Sequence, residues 1–349
     1  MDDSFDIVYY SQPVPPSPRV LTLLSCLFDR IHFPAVFIPD EGFDVEDTRR
    51  EIDRLLKLGV RNLDDAQCIN VMTYALQKKH LNDFCVFTGK DRYMPALEEG
   101  AEELMHHLGE LIYGPFPPDF TPTYNTKFVK GLPGGGNTAI SGPSAISYPA
   151  NAFVYSMKQG IPLLNDDPGL PVPALGDTSP MYNAKLLSTI LSIDSVKFLV
   201  PNLKPLSPEQ IVEFRGQTVE YIKPFRLKML KLAKDLNSAI DQNMSLPDVE
   251  KEARFLVETT VYPEMEELRQ ALSDPQKPWY RRAVDFAKSV PELAICFASM
   301  PLNIAIAKSL VSVATILSDS QENVQDRKRK ITQSGMYYLL RLEEKLSGP

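Results

Sequence analysis

SPEQIVEFRGQTVEYIKPFRLKMLKLAKDL, residues 207–236, decides how this chain is read. Ser207 followed by Pro208, with Gln210 three positions after the serine, is a helix-start signature. The serine hydroxyl accepts from the amide of residue 210, and the glutamine side chain reaches back to the serine amide. The helical pattern continues towards Asp241, and Pro224 within it predicts a kink or a short break. Downstream, Asp248 opens a second long helix towards Leu272, with Pro263 as another kink. Asp274 to Pro278 turns the chain, Trp279 to Ser289 is basic and amphipathic, and MYYLLRLEEKL at 336–346 is a further amphipathic helix.

Working back from Pro205, the pattern changes character. FDIVYY at 5–10 is a compact β-branched and aromatic run and predicts a first strand. A proline-rich connector follows. Ser17-Pro18 then opens a helix through VLTLLSCLFDRI that is apolar on nearly all sides and so predicts burial. Strands are predicted at 35–38, 85–87, 161–164 and, most clearly, VKFLV at 196–200. Helices are predicted at 44–58 (amphipathic, closed by Gly59), from Asp64 or Asp65 to Lys79, and at 95–113, 152–159 and 183–193. Residues 114–150 hold seven prolines and six glycines, carry neither period, and read as a long loop. The expected fold is therefore an α/β domain over 1–205, with a Pro/Gly-rich loop at 114–150, followed by an α-helical hairpin or bundle domain over 206–349.

Bulk properties bound the function. Apolar residues are 44% and charged residues 23%, enough to bury a core. The net charge of -8 argues against a general nucleic-acid surface but leaves a local basic groove open. Four scattered cysteines, Cys26, Cys68, Cys85 and Cys296, form no close pair, so they read as free thiols of a reducing compartment. The start, MDDSFDIVYYS, has no basic and apolar succession of a secretory signal. These features predict a cytoplasmic protein.

Three stretches invite a chemical reading. Gly134-Gly135-Gly136-Asn137-Thr138 would let backbone amides approach a phosphate, but neither GxxxxGK[ST] nor a convincing strand–GxGxxG–helix context is present, and a surface loop or lid serves as well. Asp166-Asp167, at the end of IPLLNDD, would sit at the C-terminal edge of a sheet, where carboxylates can hold Mg²⁺ or Mn²⁺. The same pair before Pro168-Gly169 also suits a turn. Residues 293–317 (LAICFASMPLNIAIAKSLVSVATIL) are long enough to span a bilayer, yet Pro301, Asn303 and Lys308 lie in the middle third. A central lysine costs about 2.5–3.5 kcal/mol on insertion. Two buried helices broken at Pro301 are the plainer reading, and a membrane partner is not expected. Arg327-Lys328-Arg329-Lys330 would lie near an anionic lipid surface in the other reading, and is a solvated helix face in this one. His106 and His107 are adjacent on a helix and point in different directions.

Two resemblances follow from particular residues. SMKQGIPLLNDDPGL, 156–170, resembles the segment of PIN-like nucleases in which a helix leads through a strand to a metal-binding aspartate. This implies Asp166 or Asp167 as a ligand for a divalent metal, with Asp6 or Asp29 as companions. FDIVYYSQ lacks the acidic residue that family carries directly after its first strand. The order of LLSCLFDRIHFP, NAKLLSTILSIDSVKFLVPNLKPLSPEQIVEFR and MYYLLRLEEKL resembles a loose group of bacterial proteins of unknown function, which implies a bacterial cytoplasmic protein with no catalytic set to carry over. The function expected first is an interaction or regulatory protein, with its helical half as a partner or self-association surface and no evident cofactor. A metal-dependent nuclease using Asp166 and Asp167 stands second, and a membrane-perturbing effector using 293–317 third.

Overall fold

The structure is a computed structural model, and it describes residues 4–13, 15–36, 45–59, 72, 76, 78–89, 98–113, 126–129, 138–141, 144–167, 169–173, 180–200, 203–240, 246–271 and 335–347. The glycine run at 134–136, the segment 293–317, the basic cluster 327–330 and the helix expected at 279–289 lie outside the described residues. The described residues fall into two compact units: one of residues up to Pro173 with Ser207–Val212, and one of the remaining described residues. A mixed α/β segment is followed by a largely helical region.

The first unit is built on a four-stranded, wholly parallel sheet. Strand β1 (Ile7–Tyr9) pairs on one side with β2 (Ile31–Phe33), which pairs with β3 (Cys85–Phe87). Helix α1 (Pro18–Leu27) connects β1 to β2, and Ser17 caps it by accepting from the Val20 amide. Its residues Val20 through Leu27 are all buried, which explains why the sequence is apolar around the whole circumference. A reciprocal tie closes the α1 turn: the Phe5 amide donates to Asp29 Oδ2 at 2.9 Å, and the Asp29 amide donates to the Phe5 carbonyl at 2.8 Å.

Six further elements belong to the described residues of this unit. Helix α2 (Val45–Leu58) is the amphipathic surface helix expected, ended by Gly59 in a left-handed conformation (φ 78). Helix α3 (Ala101–Tyr113) packs against α4 (Ser144–Gln159) through Met105, Leu108, Ile146 and Ala150. Between them, β4 (Thr126–Val129) and β5 (Thr138–Ser141) form an antiparallel pair. Part of the stretch read as loop is therefore a hairpin and the start of α4. Prolines and glycines flanking four-residue strands hide their short alternation. The last strand, β6 (Leu163–Leu164), returns to the free side of β1, giving the order β3-β2-β1-β6.

Two predicted strands are corrected. The second strand is Ile31–Phe33; of the strand expected at 35–38, Ala35 instead turns the chain with φ 58, and residues 37–38 lie outside the described residues. Residues 196–200 are not a strand: α5 runs from Pro180 to Leu199. VKFLV looks like a strand because it is short and apolar, but α5 is buried on almost every side, so helical periodicity is erased.

Helix α6 (Pro208–Ala239) begins with the expected reciprocal cap: the Gln210 amide donates to Ser207 Oγ at 3.3 Å, and the Ser207 amide donates to Gln210 Oε1 at 3.0 Å. It runs through Pro224 without a break. Helices α7 (Leu246–Leu256) and α8 (Tyr262–Ala271) are joined by a π-helical turn at Val257–Val261. Pro263 explains the turn. Its ring crowds the carbonyl one turn back, and the wider turn, in which the Tyr262 amide reaches the Val257 carbonyl, relieves the crowding without ending the helix. The final helix, α9 (Gly335–Leu346), sets the Tyr338 ring 5.4 Å from Phe225 and 6.4 Å from Phe214.

Gly335 permits that approach. A Cβ there would stand 2.8 Å from the Pro224 carbonyl oxygen, 2.8 Å from Lys228 Cβ and 3.1 Å from Phe225 Cα. Two of those atoms are backbone and cannot swing aside. Gly335→Ala is expected to destabilise the helical unit by about 1–3 kcal/mol through overpacking, read as a lowered urea midpoint. An unchanged midpoint would show that the helices do not approach so closely.

Candidate functional site

Parallel strands place all their C-terminal ends on one edge of the sheet, where the connecting loops part and leave a crevice. The crevice is deepest where successive strands change sides. Here β2 and β3 lie to one side of β1 and β6 to the other, so the change falls between β1 and β6. Ser11 follows β1 and Asn165-Asp166-Asp167 follow β6, all at this edge. The sequence reading identified the two aspartates; the structure adds the groups that hold them.

Asp166 is half-buried and Asp167 exposed. Asp166 Oδ1 accepts from the Tyr9 hydroxyl at 2.9 Å and from the Ser11 hydroxyl through a short contact. Ser11 Oγ in turn accepts from the Asp166 amide at 2.9 Å and lies 2.9 Å from Asn165 Oδ1. Asn165 is buried: its Oδ1 accepts from the Asp167 amide at 3.0 Å, and its Nδ2 donates to the Leu170 carbonyl at 3.0 Å. Asp167 Oδ1 accepts from the Gly169 amide at 2.8 Å. Asp166 and Asp167 thus stand in a turn, and Tyr9 and Ser11 fix the Asp166 carboxylate. Among the described residues, Asp166 Oδ2 has no hydrogen-bond partner.

The support beneath is aromatic. The Tyr9 ring lies 5.6 Å from Phe33, which stacks 5.1 Å from Phe87, so β1, β2 and β3 each give one ring to the same face. From α4, the Tyr148 hydroxyl donates to the Tyr9 carbonyl at 2.6 Å. Burial, then the nearby Asp166 charge, pushes both the Tyr9 and Tyr148 phenols well above their usual value. Both remain protonated donors, as holding a carboxylate and a carbonyl requires.

The companions expected for a metal are elsewhere. Asp6 precedes β1 and Asp29 precedes β2, so both lie at the N-terminal edge, away from Asp166. Among the described residues no three His, Cys, Asp or Glu side chains are grouped to hold a metal ion. His106 pairs with Glu110 at 3.5 Å on the surface of α3.

Sequence reasoning missed a second group, which joins Asp6, just before β1, to His32 in the middle of β2. Asp6 and His32 are both buried, with His32 Nε2 3.1 Å from Asp6 Oδ2, and Tyr155 Oη lies 3.0 Å from His32 Nδ1. Separations of 26 and 123 residues leave no local motif. The only signal was the position of Asp6 and His32 beside strand runs. Cys26 and Cys85 are buried. Among the described residues no helix is long and apolar enough to cross a membrane. Comparison with protein-family models, with curated proteins and with solved structures finds no match for this chain.

Proposed function

We propose that the chain is a cytoplasmic regulatory binding protein. Its α/β unit takes a small ligand at the β1/β6 edge, and its helical unit supplies a surface for a protein partner or a second copy. The observation that supports the ligand site is the Asp166 carboxylate: one oxygen is fixed by Tyr9 and Ser11, and the other has no described partner, at the place where the strand order changes sides. A carboxylate only accepts, so the ligand offers a cation or hydrogen-bond donors such as an amine or vicinal hydroxyls. Val219, Leu227 and Leu230 support the partner surface; they are exposed on one flank of α6, away from the buried Phe225 and Met229.

Isothermal titration with Mg²⁺, Mn²⁺, and panels of amines and nucleosides tests the ligand site. Asp166→Asn is expected to weaken any binding by about tenfold or more, the equivalent of one charged hydrogen bond. Binding that is indifferent to Asp166→Asn, or none across the panel, would remove this reading. Metal-dependent cleavage of DNA or RNA that Asp166→Asn abolishes would put a nuclease in its place.

A further inference from the structure

The buried chain Asp6–His32–Tyr155 has the form of an orienting acid, a base and a nucleophile. Asp6 Oδ2 accepts from the Ser4 hydroxyl at 3.1 Å and faces His32 Nε2 at 3.1 Å. Burial pushes the Asp6 carboxyl up, but the His32 hydrogen bond and charge, Ser4 and Arg30 outweigh it and hold the group below its usual value. An ionised Asp6 can only accept, so a proton lies on Nε2, and when the imidazole is neutral Nδ1 keeps its lone pair. The Tyr155 hydroxyl, 3.0 Å away, is the donor to that lone pair. Tyr155 itself is only half-buried.

A purely structural tie does not require this arrangement. Tyr148, two turns earlier on the same face of α4, anchors the helix to the sheet with one hydroxyl on a backbone carbonyl. The Tyr155 anchor instead keeps a carboxylate buried, and among the described residues Asp6 Oδ1 has no hydrogen-bond partner. Such an orphan acceptor is destabilising, and it is tolerated where an oriented base is needed. We propose that Tyr155 is a nucleophile, with His32 as its general base and Asp6 as the positioning residue, and that the site cleaves small neutral acyl esters.

The charges around Tyr155 select the substrate class. Burial first, then the negative charges of Glu98 and Asp6, push the Tyr155 phenol above its usual value, and the positive charge of Arg30 partly offsets them. A phosphate dianion would meet net repulsion. A neutral ester carries no charge to be repelled. In the reaction, Tyr155 Oη attacks the carbonyl carbon while its proton passes to His32 Nδ1. The tetrahedral oxyanion collapses, the bond to the leaving oxygen breaks, and that oxygen takes the proton from Nδ1. Water, deprotonated by the same nitrogen, then attacks the acyl–tyrosine, and Tyr155 leaves with the proton. The balance is ester plus water to acid plus alcohol.

The test uses the full chain and p-nitrophenyl acetate, followed by nitrophenolate absorbance and peptide mass mapping. An initial burst is expected, with one acetyl group on Tyr155. Tyr155→Phe and His32→Gln should each lower the rate by about a hundredfold or more, the scale of a lost nucleophile or base. Asp6→Asn should change the shape of the pH–rate profile, which loss of a tie alone would not do. Tyr155→Phe removes one half-buried hydroxyl, so it stays informative if the buried variants fail to fold. Acetyl found only on lysine or cysteine, or an equal rate in folded Tyr155→Phe, would overturn the proposal.

Discussion

Phe33→Ala is expected to cost about 3–5 kcal/mol of stability. Phe33 is wholly buried in β2, and its ring is the middle member of a row, 5.6 Å from Tyr9 and 5.1 Å from Phe87. Removing it deletes the contact that joins the outer rings and leaves a void under strands only three residues long. Such strands have little ladder to compensate, so their stability rests on side-chain burial. The loss reaches the candidate site, because Tyr9 both packs on Phe33 and donates to Asp166. Phe33→Leu keeps most of the volume and should cost clearly less. Urea denaturation followed by circular dichroism measures both. An alanine variant within about 1 kcal/mol of the parent would show that the ring row is not the core of the sheet.

Asp194→Asn is expected to stabilise the protein above neutrality. Burial pushes the Asp194 carboxyl up from 3.8 to about 6; Glu250 adds to this, and Lys197 and Arg254 only partly offset it. The residue keeps a little exposed surface, but Oδ2 is sealed from solvent and, among the described residues, has no hydrogen-bond partner. The folded form therefore holds its proton to higher pH than the unfolded chain. Between the unfolded value of 3.8 and the folded value of about 6 the folded state binds more protons, so stability falls as pH rises through that window and stays lowered above it. A shift of this size corresponds to about 2–3 kcal/mol. Asparagine cannot ionise, so the variant should gain about that much at pH 8 and show little difference at pH 4. Burial raises Glu250 in the same direction, so some slope should survive the substitution. Melting temperatures at the two pH values test this, and a variant less stable than the parent at pH 8 would contradict it.

Much of the architecture was legible because short-range signals carried it. The capping pair Ser207 and Gln210 appears in the structure as a reciprocal hydrogen bond, and Ser17-Pro18 opens α1 as its chemistry requires. Misreadings arose where burial on all sides removed the period, as in α5, or where strands of four residues were surrounded by proline and glycine, as in β4 and β5. The site was half legible. Two adjacent aspartates after an apolar run are visible in a sequence, but Ser11 lies 155 residues from Asp166, and the aromatic support is drawn from three strands and a helix. The Asp6–His32–Tyr155 chain was invisible for the same reason: pairing is a property of the folded sheet and not of spacing.

The most direct test of the ligand site is amide chemical-shift mapping on isotope-labelled protein, titrated with whichever metal, amine or nucleoside binds by calorimetry. The account predicts that the earliest and largest shifts fall on Ser11 and on Asn165, Asp166 and Asp167, and that Asp166→Asn suppresses them. Shifts centred on the helices of the second unit, with Ser11 and Asp166 unmoved, would contradict it.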